Sequence, residues 1–172
     1  MDMQQTLVTA ETLLQPYTVG AAAHAPGRVD AVIHREHLTA AVKALVDARW
    51  GYLAAITGLD HPWPKTPKTA PKPAEAAAPA APADSVEDRL EALYQFVSGA
   101  AIATLRVSVP YHDTRLQTIC PIIPSATLYE RELQEMFGFV IVDTPDPGRL
   151  LLPDDWPDGV YPLRKAFEVP GA

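Results

Sequence analysis

Three glutamates and one arginine crowd a ten-residue stretch near the end of the chain, Tyr129-Glu-Arg-Glu-Leu-Gln-Glu-Met-Phe-Gly138. Paired carboxylates whose pKa values are split by their surroundings act as acid and base in many hydrolases. The same residues also suit a solvated helix face, because Arg131 precedes Glu135 by four positions and can pair with it. No nucleophile with a neighbouring base accompanies them in the sequence. The sequence therefore favours a structural or interface role for Glu130, Glu132 and Glu135 over catalysis.

Other residue types that carry chemistry are few. His34 and His37 have the spacing of a metal pair, but Glu36 points to another side of a helix and no third ligand is evident. Cys120 is the single cysteine, so it cannot supply the several thiolates of an iron–sulfur cluster or a structural zinc site. No glycine-rich phosphate loop occurs. We therefore expect no catalytic residue, no metal site and no bound cofactor in this chain.

Bulk composition narrows the class of protein. The 172 residues can bury one core, and no stretch is apolar for the about 18 residues that a membrane span requires. The formal net charge of -7 argues against nucleic-acid binding, which needs clustered lysines and arginines. Residues 1–6 lack the features of a secretory signal. We expect a soluble, cytoplasmic protein that binds no nucleic acid.

The first sixty residues predict a strand, a helix and a second strand. Residues 1–20 indicate a short opening helix, and the β-rich run over 28–34 predicts a strand. Apolar residues then recur at helical spacing over 35–50, where Gly51 is placed to close the helix. Residues 52–57 are a second β-rich run.

Residues 62–84 interrupt this pattern. Seven prolines and eight alanines lie between positions 62 and 83, and no large apolar residue follows Trp63. Such a segment has nothing to bury, so it is predicted to be a flexible or polyproline-like linker. Neither side alone has enough strands to close a sheet, so the linker is expected to interrupt one domain.

The second half predicts two strands and a helix. Residues 86–97 fit a helix and a strand equally well, whereas 102–109 alternate as in the second strand of a hairpin. A further extended piece covers 115–119. Thr127 and Glu130 have the spacing of a capping box at the start of the following helix, and Gly138 is placed to end it. Its apolar face, expected to pack on the sheet, comprises Tyr129, Leu133, Met136 and Phe137.

These elements predict an α/β (α+β) fold. We expect a mixed sheet of four to five strands with two main helices on one side, in the order β-α-β-linker-β-β-α. The chain would divide into the first half of the domain, the linker, the second half with the charged helix, and an extended C-terminal tail. The predicted boundaries are 1–61, 62–84, 85–142 and 143–172.

The tail combines many prolines, which prevent regular secondary structure, with many large apolar residues, which need to be buried. Six prolines within 143–172 deny it a helix or a central strand. Large apolar residues are nevertheless frequent in it: Leu150, Leu151, Leu152, Trp156, Tyr161, Leu163 and Phe167. The tail must either fold back across its own domain or lie extended over another protein, and composition does not separate these two possibilities.

Four blocks of the last forty residues resemble the C subunit family of respiratory complex I, also known as its thirty-kilodalton subunit. In order they are residues 130–138, Pro145-Asp146, 149–156 and Tyr161-Pro-Leu-Arg-Lys165. Residues 56–60 and 105–109 resemble strands of the same family, and the comparison favours a strand for 90–97.

The chain departs from the complex I pattern at Thr144 and Gly148, where that pattern has basic residues. The run Leu-Pro-Asp-Asp-Trp-Pro-Asp-Gly-Val-Tyr-Pro-Leu-Arg-Lys, which ends at Lys165, is more similar to the small subunits of energy-converting nickel–iron hydrogenases, including the carbon-monoxide-induced type. Two branches therefore stay open: the C subunit of an NADH:quinone oxidoreductase and a hydrogenase subunit.

The resemblance implies a cofactor-free accessory subunit in the peripheral arm of a membrane-associated, ion-translocating oxidoreductase. Its partners would be the large catalytic subunit, either of the forty-nine-kilodalton type of complex I or of the nickel–iron hydrogenase type, and the iron–sulfur subunits. It would meet the membrane only through the complex, at the cytoplasmic face. Outside the family, a stand-alone carboxylate-based hydrolase is the alternative. The resemblance assigns the partner interface to Glu130, Arg131, Glu132, Glu135, Arg149, Trp156, Tyr161, Arg164 and Lys165.

Overall fold

The structure, a computed structural model, describes residues 2–20, 22–62 and 87–168. The helices are α1 (Met3–Leu14), α2 (Leu38–Asp47) and α3 (Ala126–Phe137). The strands are β1 (Ala23–Ala25), β2 (Arg28–Val32), β3 (Tyr52–His61), β4 (Arg89–Ser98), β5 (Ala101–Pro110), β6 (Arg115–Gln117) and β7 (Val140–Val142). The predicted linker lies, apart from Pro62, outside the described residues.

Five strands form one mixed sheet in the order β1-β2-β5-β4-β3. β2 pairs with β5 in parallel, and the other neighbours pair antiparallel. β6 and β7 form a separate parallel pair. The predicted α+β class with a mixed sheet is confirmed, and the ambiguous residues 90–97 are a strand, β4. The three-residue strands β1 and β7 escaped prediction because they are too short to show a period.

One face of the sheet carries the core. Leu90, Ala92, Tyr94 and Phe96 alternate along β4 and are almost fully buried. They belong to a single apolar core that also includes buried residues of α1, α2 and α3. α3 approaches β3 so closely that a Cβ on Gly58 would lie 2.5 Å from the ring of Phe137. A glycine at position 58 is therefore what lets α3 pack on the sheet.

The opposite face, called here the polar face, carries a row of charged side chains from β2, β5, β4 and β3. Arg106 donates from Nε and Nη2 to the two carboxylate oxygens of Glu91, at 2.7 and 2.8 Å. The ring of His61 lies 3.0 Å from the same carboxylate, and Asp30 lies 3.6 Å from Arg106. Burial alone would raise the pKa of Glu91, but the bonds from His61 and Arg106 outweigh it and lower the pKa to about 2.

The predicted capping box of α3 is wrong. The helix begins at Ala126 after Ser125, which makes no side-chain capping bond. Thr127 donates to the carbonyl of Pro124, and Glu130 turns inward to other partners. The end of the helix is as predicted: Gly138 adopts a left-handed conformation with φ of 77°, and its amide bonds to the carbonyl of Gln134.

Candidate partner interface on α3 and the tail

Glu130 faces the interior of the molecule. It is fully buried, and its carboxylate accepts bonds from the Thr118 hydroxyl at 2.6 Å and the Ile119 amide at 2.7 Å. The Cys120 thiol lies 3.2 Å from the same group. Burial and the neighbouring Glu130 raise the pKa of the thiol, although Thr118 and Thr127 act in the opposite sense. Glu130 thus holds the loop that precedes α3 and presents no free carboxylate at the surface.

Arg131 and Glu135 do not pair with each other, contrary to the expectation from their spacing. Arg131 donates from Nε to the carbonyl of Gly148 at 2.7 Å, and from Nη2 to the carbonyl of Arg149. A third nitrogen of the same guanidinium lies 2.9 Å from the carboxylate of Asp146. The fork of donors on one arginine suits this arrangement, and it fixes the start of the tail against α3.

Glu135 binds the next part of the tail through its backbone amides. Its carboxylate accepts bonds from the amides of Leu150, Leu151 at 2.8 Å and Leu152 at 3.4 Å. A segment rich in prolines has few partners of its own for its amides, and unpaired amides away from water are unfavourable. One carboxylate of α3 therefore replaces the hydrogen bonds that a helix or sheet would give this segment.

The tail then turns across the C-terminal end of α3. A Cβ on Gly138 would overlap the ring of Tyr161, and the amide of Leu163 donates to the carbonyl of Met136 at 3.1 Å. Arg164 donates to the carbonyl of Phe137 at 2.7 Å. Its guanidinium stacks between two rings, with centroids 4.7 Å away for Tyr111 and 4.6 Å for Tyr161. Arg164 is therefore engaged within its own chain.

Asp60, at the end of β3, fixes the last turn of the tail. It accepts a bond from the amide of Lys165 at 2.7 Å and another from the hydroxyl of Tyr111. Burial and the bond to Asp60 both raise the pKa of Tyr111. The backbone of Lys165, and not its ammonium group, makes this contact. Sequence reasoning missed Asp60, although an aspartate within an otherwise apolar strand is the kind of signal that marks such a contact.

Arg149 and Trp156 shape the turn between these two attachments. Arg149 donates to the carbonyl of Pro153 at 2.8 Å and to Asp158 at 2.9 Å. The indole of Trp156 donates to the carbonyl of Val160 at 2.8 Å, and its ring packs 6.1 Å from that of Phe167. Both side chains stabilise a local fold of the tail.

Glu132, unlike these residues, is not bound to another part of the described chain. It is partly exposed, and within the described ranges it makes no hydrogen bond or ion pair. Several large apolar side chains of α3 and the tail also stay in solvent: Leu128, Leu150, Leu151 and Leu163. The tail therefore folds back on its own domain. The surface that it forms with α3 still exposes apolar side chains and one carboxylate without a partner among the described residues.

The cavity beside α3 and the grouping of metal-ligating side chains limit what this region could hold. Between α3 and the tail lies a cavity of about 290 Å³, at the lower limit of typical small-molecule sites. In the described parts of the chain, no three His, Cys, Asp or Glu side chains come together as a metal site would require. None of the helices seen there has the length and apolar character to cross a bilayer.

Comparison with known proteins decides the family. The family model described as the respiratory-chain NADH dehydrogenase 30 Kd subunit matches residues 31–172, which include α2, the whole sheet apart from β1 and most of β2, α3 and the tail. The chain belongs to this family. The resemblance inferred from the four blocks at the C-terminus is thereby confirmed.

The matches to relatives of this family differ in sequence identity and in the length of chain that they cover. Formate hydrogenlyase subunit 5 of Escherichia coli is 47% identical over 62 residues, which are 36% of this chain and 11% of that protein. The NADH-quinone oxidoreductase C subunit of a Nocardioides species is 27% identical over 150 residues, or 84% of this chain and 51% of that protein. The chain thus spans about half or less of the length of these relatives.

A solved structure shares the fold of this family member. The chain superposes on a component of the membrane-bound sulfane sulfur reductase, an archaeal respiratory membrane complex, with a TM-score of 0.65. The match covers 97% of this chain and 86% of the other, at 19% identity. At that identity the likeness concerns the fold alone.

Proposed function

We propose that this chain is a cofactor-free docking subunit in the peripheral arm of a membrane-associated oxidoreductase, and that α3 and the tail attach it to a large catalytic subunit. The observation that carries the proposal is the tail itself. α3 binds its backbone at Arg131 and Glu135, yet Leu150, Leu151 and Leu163 remain exposed. Apolar side chains held in fixed positions at a surface are typical of an interface.

The relatives support a large partner. The stretch that resembles formate hydrogenlyase subunit 5 is only 11% of that protein, so in that relative it is part of a much longer chain. A segment that is covalently joined to a large polypeptide in one protein is suited to bind a large polypeptide in another. We further propose that the partner complex is of the hydrogenase type, because the 62 residues matched to this relative are 47% identical, whereas the 150 residues matched to the C subunit of NADH-quinone oxidoreductase are 27% identical.

A deletion tests the docking proposal. The full chain, tagged and expressed in its native host, should co-purify with a large subunit and iron–sulfur subunits from the membrane fraction. Removal of residues 145–172 should abolish co-purification, whereas removal of residues 64–82 should leave it intact. Recovery of the intact complex with the tail deleted would refute the proposal.

Metal analysis of the same complex tests the branch. About one nickel per complex would support the hydrogenase type, whereas a nickel-free complex that reduces quinone with NADH would support the complex I type.

Protease treatment of sealed vesicles of both orientations tests the proposed cytoplasmic face. The chain should be digested only in vesicles whose cytoplasmic side is outward.

The stand-alone hydrolase gains no support from the site. Glu130 is buried under three donors, and Glu135 accepts three backbone amides. Neither carboxylate is free to act as a general base. Glu132 is partly exposed and makes no hydrogen bond within the described residues, but α3 offers it no second free carboxylate to complete an acid–base pair.

A further inference from the structure

An outer surface forms where α3 meets the tail, and it consists of Leu128, Glu132, Leu150 and Leu151. Leu128, Glu132 and Glu135 follow one another at spacings of four and three, so they lie on one face of α3. Side chains on a helix lean towards its N-terminus, so the carboxylate of Glu135 lies over the turn that contains Glu132. The amides of Leu150 and Leu151, bound to that carboxylate, therefore lie beside Glu132.

The exposure and charge of the side chains on this outer surface indicate which kind of partner surface would bind it. Leu128 is 55% exposed and Leu151 is 60% exposed, whereas Glu132 stands between them without a partner among the residues the structure describes. The nearby cation, Arg131, is already bound to Asp146 and two carbonyls. Residues 143–168 contain six acidic and only three basic side chains, so the surroundings are also acidic.

We infer that Glu132 is the specificity-determining contact of the docking surface, and that it receives a lysine or arginine set within an apolar patch of the large subunit. This inference rests on the proposed function and adds which residue recognises the partner. The three carboxylates of the helix then have separate roles. Glu130 holds the preceding loop, Glu135 holds the tail, and Glu132 binds the partner.

Photo-cross-linking locates the partner surface. Benzoylphenylalanine is placed at Leu128, at Leu151 or, as a control, at Val8 on α1, which is 52% exposed. After irradiation of native cells, positions 128 and 151 should cross-link to one patch of the same polypeptide, and that patch should include a lysine or arginine. Cross-links from the two positions to different polypeptides, or to a patch without a cation, would overturn the inference.

Charge reversal tests Glu132 directly. Variant and wild-type chains with different tags are co-expressed, and their ratio in the purified complex is measured. We expect Glu132→Lys to lower incorporation at least tenfold and Glu132→Gln about threefold, because an interfacial cation loses its partner. Glu11→Lys, the same charge change on α1, should incorporate like wild type. Equal incorporation of Glu132→Lys and wild type would refute the inference.

Exchange of the charges completes the test. Replacement of the cross-linked lysine or arginine by glutamate should restore incorporation of Glu132→Lys at least fivefold, and failure to do so overturns the ionic contact. Thermal unfolding of the isolated Glu132→Lys chain should match wild type, because the side chain is bound to nothing in the described part of its own fold. If wild type itself enters no complex, the proposed function fails instead.

Discussion

On the polar face of the sheet, Glu91 and Arg106 form an ion pair with each other. On α3, Arg131 and Glu135 do not pair with each other, and each bonds instead to the backbone of the tail. The first pair joins strands whose backbones are already paired. The second pair holds a segment whose prolines prevent it from forming a ladder. Charged side chains therefore add to regular structure in the sheet and replace it in the tail.

This difference predicts different consequences when charges are removed. Glu91 and Arg106 are both buried, so loss of one leaves the other without a partner in a medium that solvates it poorly. Arg131 and Glu135 are more accessible, so water can take over part of their bonds. Damage should spread through the whole fold in the first region and should stay local in the second.

The largest effect is expected from Arg106→Leu. It leaves the buried carboxylate of Glu91 without its main donor, and we expect the free energy of unfolding to fall by about 3–5 kcal/mol in urea titrations. The matched double variant Glu91→Leu/Arg106→Leu should recover much of this loss. A single variant that is no less stable than the double variant would contradict the importance of the pair.

Acid should weaken the sheet through Glu91. Its pKa of about 2 lies below the ordinary value of 4.5, so the unfolded chain takes up the proton first. The contribution is complete above pH 4.5 and is lost as the pH falls towards 2, by an amount on the order of 3 kcal/mol. The Glu91→Gln variant should show a flatter dependence of unfolding free energy on pH over this range. Parallel curves for the two proteins would exclude Glu91 as the source.

Gly138→Ala should displace the tail from α3. A methyl group there meets the ring of Tyr161 and must also adopt a φ of 77°. Gly159→Ala is a matched control, because its φ is 76° and nothing lies within 4 Å of the added carbon. We expect losses of about 2–3 kcal/mol for Gly138→Ala and about 1 kcal/mol for the control. Hydrogen exchange at the Leu163 amide should accelerate only in the first variant, and equal acceleration in both would show that strain alone is responsible.

The smallest effect on overall stability is expected from Glu135→Ala. Global unfolding free energy should change by no more than about 1 kcal/mol, because only the backbone of the tail is released. Amide exchange at Leu150, Leu151 and Leu152 should nevertheless increase about tenfold. Glu132→Ala is the control and should leave these amides unchanged. A uniform increase across the sheet would show that the tail is part of the global folding unit.

The sequence predicts most of the fold because its signals are local. Alternation identifies β5, helical spacing identifies the packed face of α3, and Gly138 ends that helix as expected. The residues of β4 fitted a helix equally well, and only the family resemblance favoured a strand there. The course of the tail could not be predicted in this way. Its attachments join side chains to backbone groups 15 to 18 positions away, as at Glu135 and Arg131, and such pairs leave no periodic trace.

Prediction of the candidate site from the sequence was limited in the same way. The charged motif marks α3 correctly, but spacing alone cannot distinguish a buried glutamate from an exposed one. The capping-box prediction therefore failed when Glu130 bonded to Thr118 and Ile119. Glu91 and Arg106 were overlooked, although a charged residue alternating with leucine and alanine in a central strand is a usable sign of a buried pair.

The pairing of β3 with β4 continues to His61 opposite Arg89, so the residues between them begin and end at neighbouring points of the sheet. The free energy needed to close such a connection rises by only about 0.6 kcal/mol for each doubling of its length. A fluorescent protein or an affinity domain could therefore be spliced between positions 64 and 82 while both chain ends and α3 stay untouched. The connection between β3 and β4 therefore offers an attachment point for testing the proposed assembly in living cells.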